Sequence, residues 1–301
     1  MFPIIPANSV AASGNDEGIF GFGYTGSAWA VTNLVSNAGV VATDTVGVGT
    51  ARFGLAACEY GGDKGIFGFG NTIAASVSIT NLVSNAGVVA SDQAATTGTS
   101  RAYVAACGYG EDKGIFGYGN GFYAETNLVS NAGVVATDTV GVGTARGALA
   151  ACEYGEDKGI FGFGTTGSYV SMTNLVSNIG VVASDQAATT GTARDYLAAC
   201  GYGGDKGIFG YGRASGTNTA VTNLVSNTGV VVTDTVGVGT ARDDLAATQY
   251  GEDKGIFGFG NIDPPGVYTA VSNLVSNAGV VATDTVGVGT ARGYQGACSF
   301  N

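Results

Sequence analysis

Residues 65–70 read GIFGFG, and closely similar hexapeptides recur along the whole chain. Their first glycines stand 45 to 49 residues apart, at positions 18, 65, 114, 159, 207 and 255. Each unit also contains one copy of TNLVSN or SNLVSN, and one arginine that closes the phrase GTAR or GTSR. Six units of about 48 residues are typical of a β-propeller or a solenoid.

The composition of the 301-residue chain favours β structure throughout. It contains 53 glycines, 45% hydrophobic residues and only 12% charged residues. Valine, alanine, phenylalanine and tyrosine alternate with threonine, serine and glycine, and no sustained period near 3.6 is present. The sequence therefore predicts an all-β fold of short strands and tight turns.

Each unit offers four strand candidates, which the second copy illustrates. They are LAACEY, GIFGFG, ITNLVS and GVVAS, at residues 55–60, 65–70, 79–84 and 87–91. The last two are joined by a tight Asn-Ala turn before Gly87, in which asparagine and glycine supply the positive φ values that such a hairpin requires. Six such units predict a six-bladed β-propeller of four-stranded antiparallel blades, formed as one domain by residues 16–301.

The residue sizes in each unit fit blades that converge on an axis. Alanine and cysteine leave room on the innermost strand, and the glycines of GIFGFG let a neighbouring sheet bring an aromatic ring close. We therefore interpret GIFGFG as a packing motif.

The cysteines share one position in five copies. Equivalent positions on neighbouring blades should lie too far apart for disulfides, and the cysteines are therefore expected to be buried free thiols. They are Cys58, Cys107, Cys152, Cys200 and Cys298, with Thr248 in the remaining copy.

The arginine that closes each unit is expected to form a structural ion pair. One candidate partner is the aspartate eight or nine residues earlier, as Asp44 is to Arg52 and Asp92 to Arg101. The other is a group on a neighbouring blade. An anion-binding ring of arginines is the functional alternative.

The run GTARFGLAACEYGGDKGIFGFG, residues 49–70, resembles a kelch repeat. It has a small-residue stretch, an arginine, an apolar inner strand, a charged turn and a glycine-ended strand, and all six copies share this order. GFG or GYG stands where kelch repeats carry a Gly-Gly doublet, and the kelch tryptophan is missing. The unit also resembles repeats of uncharacterised virion or tail-associated proteins of bacteriophages. These resemblances imply a propeller fold and a virion or tail component.

The two chain ends offer two ways to complete the first unit. The C-terminal run RGYQGACSFN, residues 292–301, supplies an inner strand without a following partner, and we expect it to complete the first blade. NSVAAS, residues 8–13, is the competing strand. If the C-terminal run completes the first blade, residues 1–15 form an N-terminal arm that docks on the ring or on a partner. A purely structural assembly module, joined through this arm, is the alternative function.

Variation between the copies concentrates in the loop after GFG or GYG and in the two residues after the arginine. In an up-and-down blade both regions emerge on one face, so a glycan or protein is expected to bind there. The predicted binding residues are Tyr24, Trp29, Tyr103, Tyr123, Tyr169, Tyr196, Arg213, Asp243 and Tyr268. The same face should display Phe53, Phe122, Glu125, Asp195, Asp244, Asp263 and Tyr294.

The net charge of −11 argues against nucleic acid and against anionic membrane surfaces as partners. No apolar run approaches 18 residues, and no secretion signal is evident.

The chain has no histidine and no GxSxG elbow, so we expect no enzyme activity, cofactor or metal. GxGxxG at residues 21–26 and 162–167 precedes strand-like sequence, unlike a dinucleotide site. A glycoside hydrolase that uses loop carboxylates is the third candidate function. A virion or an extracellular surface is the favoured location, and free cysteines favour assembly in a reducing cytosol.

Overall fold

The computed structural model describes residues 16–94, 98–187, 191–263 and 266–300. Within these ranges the chain is all-β and has no helix, which confirms the predicted fold class. The strands are β1 (Glu17–Tyr24), β2 (Ala28–Val35), β3 (Ala56–Tyr60), β4 (Lys64–Gly68), β5 (Thr80–Val83), β6 (Ala105–Tyr109), β7 (Lys113–Gly117), β8 (Thr126–Val129), β9 (Ala150–Tyr154), β10 (Lys158–Gly162), β11 (Thr173–Val176), β12 (Ala198–Tyr202), β13 (Lys206–Gly210), β14 (Arg213–Ala214), β15 (Thr217–Asn218), β16 (Thr222–Val225), β17 (Ala246–Tyr250), β18 (Lys254–Gly258), β19 (Asn261–Asp263), β20 (Val267–Tyr268), β21 (Ser272–Val275) and β22 (Gly296–Phe300).

The described strands form six three-stranded antiparallel sheets and two short ribbons, β14–β15 and β19–β20. In each sheet the GIFG strand lies in the middle, between the cysteine-position strand and the strand that begins TNLV or SNLV. The sheets are β2–β1–β22, β3–β4–β5, β6–β7–β8, β9–β10–β11, β12–β13–β16 and β17–β18–β21. The C-terminal strand β22 pairs with β1, so the first sheet contains both ends of the described chain. The competing segment, residues 8–13, and the rest of the N-terminal arm lie outside the described residues.

The middle strand is buried on both faces, which explains why two large apolar residues stand side by side in GIFG. Ile66 packs with Phe69 and Phe116 on one side of β4. Phe67 packs with Phe22 on the other side. A strand covered by sheets on both faces does not need the polar alternation of a half-exposed strand.

The predicted fourth strand, residues 87–91 in the second repeat, is interrupted, with an isolated bridge between Val89 and Val83. Backbone hydrogen bonds still join it to the TNLV strand: Ser84 donates to the carbonyl oxygen of Val88 at 3.0 Å, and Ala90 donates to that of Leu82 at 2.8 Å. Between them the side chain of Asn81 takes part, because its Nδ2 donates to the carbonyl oxygen of Ala90 at 3.0 Å and to Oδ1 of Asp92 at 2.9 Å. The segment is therefore held by a mixture of backbone and side-chain hydrogen bonds.

The glycine between the two aromatics of GIFGFG makes room for a phenylalanine of the next repeat. A Cβ built on Gly68 would lie 2.7 Å from Cζ of Phe116, a distance at which something must shift. The Phe116 ring also packs edge-on against Phe69, with centroids 5.2 Å apart. Equivalent contacts occur between all successive repeats and between the last and the first, where Phe20 meets Gly258. The packing role predicted for GIFGFG is therefore observed.

All five cysteines are free and buried, as predicted. Each sulfur lies over the first glycine of a neighbouring GIFG strand, as the Sγ of Cys107 lies over Gly159. These thiols act as small apolar residues that need a glycine opposite them.

Each repeat-closing arginine is fully buried and joins two consecutive repeats. In Arg146, Nε donates to the carbonyl oxygen of Phe163 at 2.8 Å, and Nη1 donates to that of Thr144 at 3.1 Å. Nη2 donates to Oδ1 of Asn174 at 2.7 Å. The guanidinium carbon also lies 4.4 Å from the centroid of the Tyr118 ring, a cation–π distance.

The aspartate partners of these arginines belong to the next repeat. Nη1 of Arg52 lies 3.9 Å from Asp92, whereas Asp44 faces Arg292 at 4.0 Å. Nη1 of Arg101 lies 3.4 Å from Asp138. Pairing with an aspartate of the same repeat is therefore wrong, and pairing with a neighbouring repeat is confirmed. Because a bond between repeats has no fixed sequence spacing, spacing alone could not select the partner.

Candidate functional site

The two variable regions of the repeats pair directly with each other. Residues that follow a repeat-closing arginine form antiparallel bridges with residues that follow GFG or GYG. These bridges join Phe53 to Asn71, Gly147 to Thr165, Asp195 to Arg213, Asp243 to Asn261, and Gly293 to Tyr24. The residues that differ most between the copies therefore lie together.

A closed ring of backbone hydrogen bonds lies at the centre of these paired regions. The second residue after each arginine donates its N–H to the carbonyl oxygen of the equivalent residue in the preceding repeat, at 2.6 to 3.2 Å. All six have left-handed backbone, with φ between 52° and 61°. They are Gly54, Tyr103, Ala148, Tyr196, Asp244 and Tyr294. Non-glycine residues with this backbone conformation are strained and are often found at functional sites.

Aromatic rings gather around Tyr294. Its centroid lies 5.7 Å from that of Tyr103 and 6.1 Å from that of Tyr196. Tyr24 and Phe53 lie at 6.4 and 6.1 Å on another side. Tyr103, Tyr196 and Tyr294 line a small cavity of about 70 Å³.

A larger cavity of about 530 Å³ adjoins this cluster, and we call it the acidic cavity. The aromatic, charged and amide side chains of its lining belong to Tyr24, Arg213, Asp243, Asp244, Asn261, Tyr268 and Tyr294. Asp244 and Tyr294 line both cavities, so the two cavities adjoin, and together they make up the candidate site.

The carboxylates of the site are buried beside a single arginine. Nη2 of Arg213 donates to Oδ2 of Asp195 at 3.2 Å, and its Nε donates to Oδ1 at 3.3 Å. Its guanidinium carbon lies 4.9 Å from the centroid of the Tyr196 ring. Asp243 and Asp244 are 2% and 5% exposed. The only arginine of the site is thus committed to Asp195 in its hydrogen bonds.

Burial controls the protonation of these groups. It raises the pKa of Asp243 to about 6, although the charge of Arg213 opposes the rise. It raises the pKa of Asp244 well above its ordinary value, with a further rise from the charge of Asp243 and an opposing hydrogen bond from Tyr294. Burial also raises the pKa of Asp195, against the effect of Arg213.

Several predicted binding residues line one or other of the two cavities: Tyr24, Tyr103, Tyr196, Arg213, Asp243 and Tyr268. Tyr169 lies beside them, where its hydroxyl accepts a hydrogen bond from the N–H of Gly216 at 3.2 Å. Trp29 donates from Nε1 to Oγ1 of Thr25, a residue of the acidic cavity, at 2.7 Å. Among the described residues, the lining of the two cavities includes neither Trp29 nor Tyr123. The side chain of Asp263 lies outside the described residues.

Sequence reasoning missed Asn261 and Gln295. Each is 5% exposed and has a side-chain oxygen without a hydrogen-bond partner. Gln295 could have been found by comparing the copies, because the equivalent residue is leucine or valine in the other five. Asn261 resembles Asn71 and Asn120 at the same position, so no sequence signal distinguishes it.

A second group of acids lines the channel between the cysteine-position strands. Glu59, Glu153, Gln249 and Ser299 face a cavity of about 50 Å³, which has room for only a few water molecules. Burial raises the pKa of Glu59 to about 7, although the hydroxyl of Ser299 donates to its carboxylate. Burial and the charge of Glu59 raise the pKa of Glu153 well above its ordinary value.

This acid pair predicts a fold that is more stable in mild acid. A carboxyl group with a raised pKa contributes stability below its unfolded value of about 4.5, and this contribution is lost as the pH rises through about 7. The midpoint of thermal unfolding should therefore fall from pH 5 to pH 8. In a Glu59→Gln/Glu153→Gln variant the fall should be smaller, with Asp243 and Asp244 still contributing. Parallel curves for the two proteins would assign the effect to other groups.

Four findings concern metal binding, membrane spans and the relationship of the chain to known proteins. Among the described residues, no group of three or more histidine, cysteine, aspartate or glutamate side chains is arranged to hold a metal ion. The part of the chain that the structure describes has no helix that could cross a membrane. No protein-family model matches the chain, and no curated protein matches it.

Proposed function

We propose that this chain is a six-bladed β-propeller that binds a glycan or protein ligand, without turnover, at the tyrosine-lined and acidic cavities of its variable-loop face. The observation that carries the proposal is the single, asymmetric cluster around Tyr294 and Asp244. The other buried charges are mostly copied in every repeat, as structural groups are, whereas this cluster occurs once.

Contacts between repeats support the propeller. The six cysteine-position strands touch one another in chain order, and β22 touches both β17 and β3. The last repeat also reaches the first through Arg292, whose Nη2 donates to Oδ1 of Asn33 at 2.8 Å. A ring in which every repeat has two equivalent neighbours leaves no unpaired end, as in a closed propeller.

The chemistry of the cluster favours a glycan over a protein. Tyrosines supply flat apolar faces with a polar tip, and buried carboxylate and amide oxygens can accept hydrogen bonds from hydroxyl groups. A cavity of about 530 Å³ matches a small ligand better than a flat protein epitope.

A glycan array tests the proposal directly. We expect the purified protein to bind a defined set of glycans, and a Tyr24→Ala/Tyr268→Ala variant to lose about tenfold in affinity or more, as for residues central to an interface. A Phe122→Ala/Tyr123→Ala variant is the matched control, because it removes two aromatics of the variable loops that do not line the cavities. Two outcomes would contradict the proposed site. One is an equal loss of glycan affinity in both variants, and the other is that neither the unmodified protein nor the control binds any glycan.

Glycoside hydrolysis is the second candidate, because Asp243 and Asp244 are buried carboxyl groups with raised pKa values, as a general acid requires. Glycans that bind on the array should therefore also be incubated with the protein and analysed for cleavage. Cleavage that is lost in an Asp243→Asn variant would replace the binding function with an enzymatic one.

A further inference from the structure

We infer that the acidic cavity recognises a free ammonium group on a sugar, so that the ligand is an amino sugar with an unacetylated nitrogen. This inference rests on the proposed glycan-binding function and names its substrate class. It starts from side-chain oxygens that have no hydrogen-bond donor among the described residues.

Four buried acceptors of the site lack a partner: Oδ1 of Asp243, Asp244 and Asn261, and Oε1 of Gln295. Each belongs to a side chain that is at most 5% exposed. A buried acceptor without a donor is energetically unfavourable, so four of them together are a substantial penalty. When the two carboxyl groups are ionised, all four oxygens accept hydrogen bonds, and a donor-rich cation both satisfies them and favours that ionised form.

The site also has more acidic than basic groups, which favours a cationic ligand. Three carboxyl groups, Asp195, Asp243 and Asp244, share one guanidinium, and both hydrogen bonds of Arg213 go to Asp195. Asp243 and Asp244 therefore have no committed cation. An ammonium group carries a positive charge and three N–H donors, and it is also attracted to tyrosine faces such as those of Tyr268 and Tyr294.

An amino sugar fits better than a lysine side chain. A lysine brings its donors on one nitrogen at the end of a flexible stem, whereas the acceptors lie on four side chains in two adjoining cavities. A sugar ring carries hydroxyl donors around its edge, which could serve Asn261 and Gln295 while the ammonium serves the carboxylates. Its flat carbon face would lie against the tyrosines.

Calorimetric titration with two matched oligosaccharides tests the inference. The probes are a glucosamine trimer and the N-acetylglucosamine trimer, which differ in whether each nitrogen is a free ammonium or an uncharged amide. We expect the glucosamine trimer to bind about tenfold more tightly or better, the ratio that one charge-assisted hydrogen bond supplies. A lysine tripeptide, as the third probe, should bind more weakly than the glucosamine trimer.

Variants identify the groups responsible. Asp244→Asn and Asp243→Asn keep the side-chain shape and remove a buried charge, so both should fold, which thermal unfolding verifies. We expect each to lose the preference for the glucosamine trimer. Glu125→Gln is the control: it removes a carboxylate of the variable loops that does not line the acidic cavity, and the preference should persist.

Three outcomes would overturn the ammonium inference. They are equal binding of both trimers, an unchanged preference in Asp244→Asn, and tighter binding of the lysine tripeptide. A protein that binds only neutral glycans on the array, with loss in Tyr24→Ala/Tyr268→Ala, would refute the ammonium inference and leave the glycan-binding function standing. An array without any binding would refute the function itself.

Discussion

Replacing Arg146 by alanine should destabilise the fold by about 3–5 kcal/mol, the cost of removing one partner from a buried charged network. The substitution deletes donors to the carbonyl oxygen of Phe163 and to Oδ1 of Asn174. It also leaves Asp185, which lies 3.9 Å from Nη1, without its cation. Phe163 and Asn174 are both 0% exposed, so bulk water does not reach their acceptor oxygens, whereas the side chain of Asp185 is partly exposed.

Urea unfolding monitored by tyrosine fluorescence measures this effect. Lys158→Ala is the matched control, because Lys158 pairs with Asp157 in an exposed turn of the same sheet, where an ion pair contributes less than about 1 kcal/mol. Arg146→Lys should restore only part of the loss, since a lysine cannot reproduce the planar set of donors. A loss below about 1 kcal/mol for Arg146→Ala would mean that the arginine is not a structural link.

The comparison of six internal copies predicted what every repeat shares. The all-β class followed from the composition, and the buried state of the cysteines followed from their single equivalent position. The role of GIFGFG followed from residue volume, because a glycine beside two aromatics has few uses other than close approach of a neighbour. Each of these features depends on steric fit within one repeating unit, which one copy already displays.

Features that depend on the geometry between repeats could not be predicted in the same way. The predicted fourth strand is interrupted where the side chain of Asn81 binds the carbonyl oxygen of Ala90, although the N–H of Ala90 still donates to Leu82. The partner of Arg52 is Asp92 in the next repeat, and only the arrangement of the sheets distinguishes it from Asp44. The acidic cavity combines residues from the first, fifth and sixth repeats, and therefore no local motif marks it.

A second large loss of stability is expected on substitution of Gly68, the glycine that makes room for an aromatic ring of the next repeat. Gly68→Ala should destabilise the fold by about 1–3 kcal/mol, the usual cost of overpacking a core, and Gly68→Val should cost more. The new Cβ would lie 2.7 Å from Cζ of Phe116, and this ring is 0% exposed and held against Phe69, so it has little room to move. Gly62→Ala is the control. Its Cβ would meet nothing within 4 Å, and its cost should be limited to the strain of φ +80.

A double-mutant cycle then separates the contact from the glycine itself. Phe116→Leu alone should destabilise the fold by leaving a cavity, because a leucine is shorter than the ring it replaces. Combined with Gly68→Ala, the leucine leaves space for the new methyl group, so the double variant should be more stable than the sum of the two single losses predicts. Coupling of about 0.5–3 kcal/mol is the range for residues in direct contact. If the two losses instead add, the new methyl group and the ring do not compete for the same space, and the recurrence of GIFGFG would need another explanation than the packing of a ring into the neighbouring sheet.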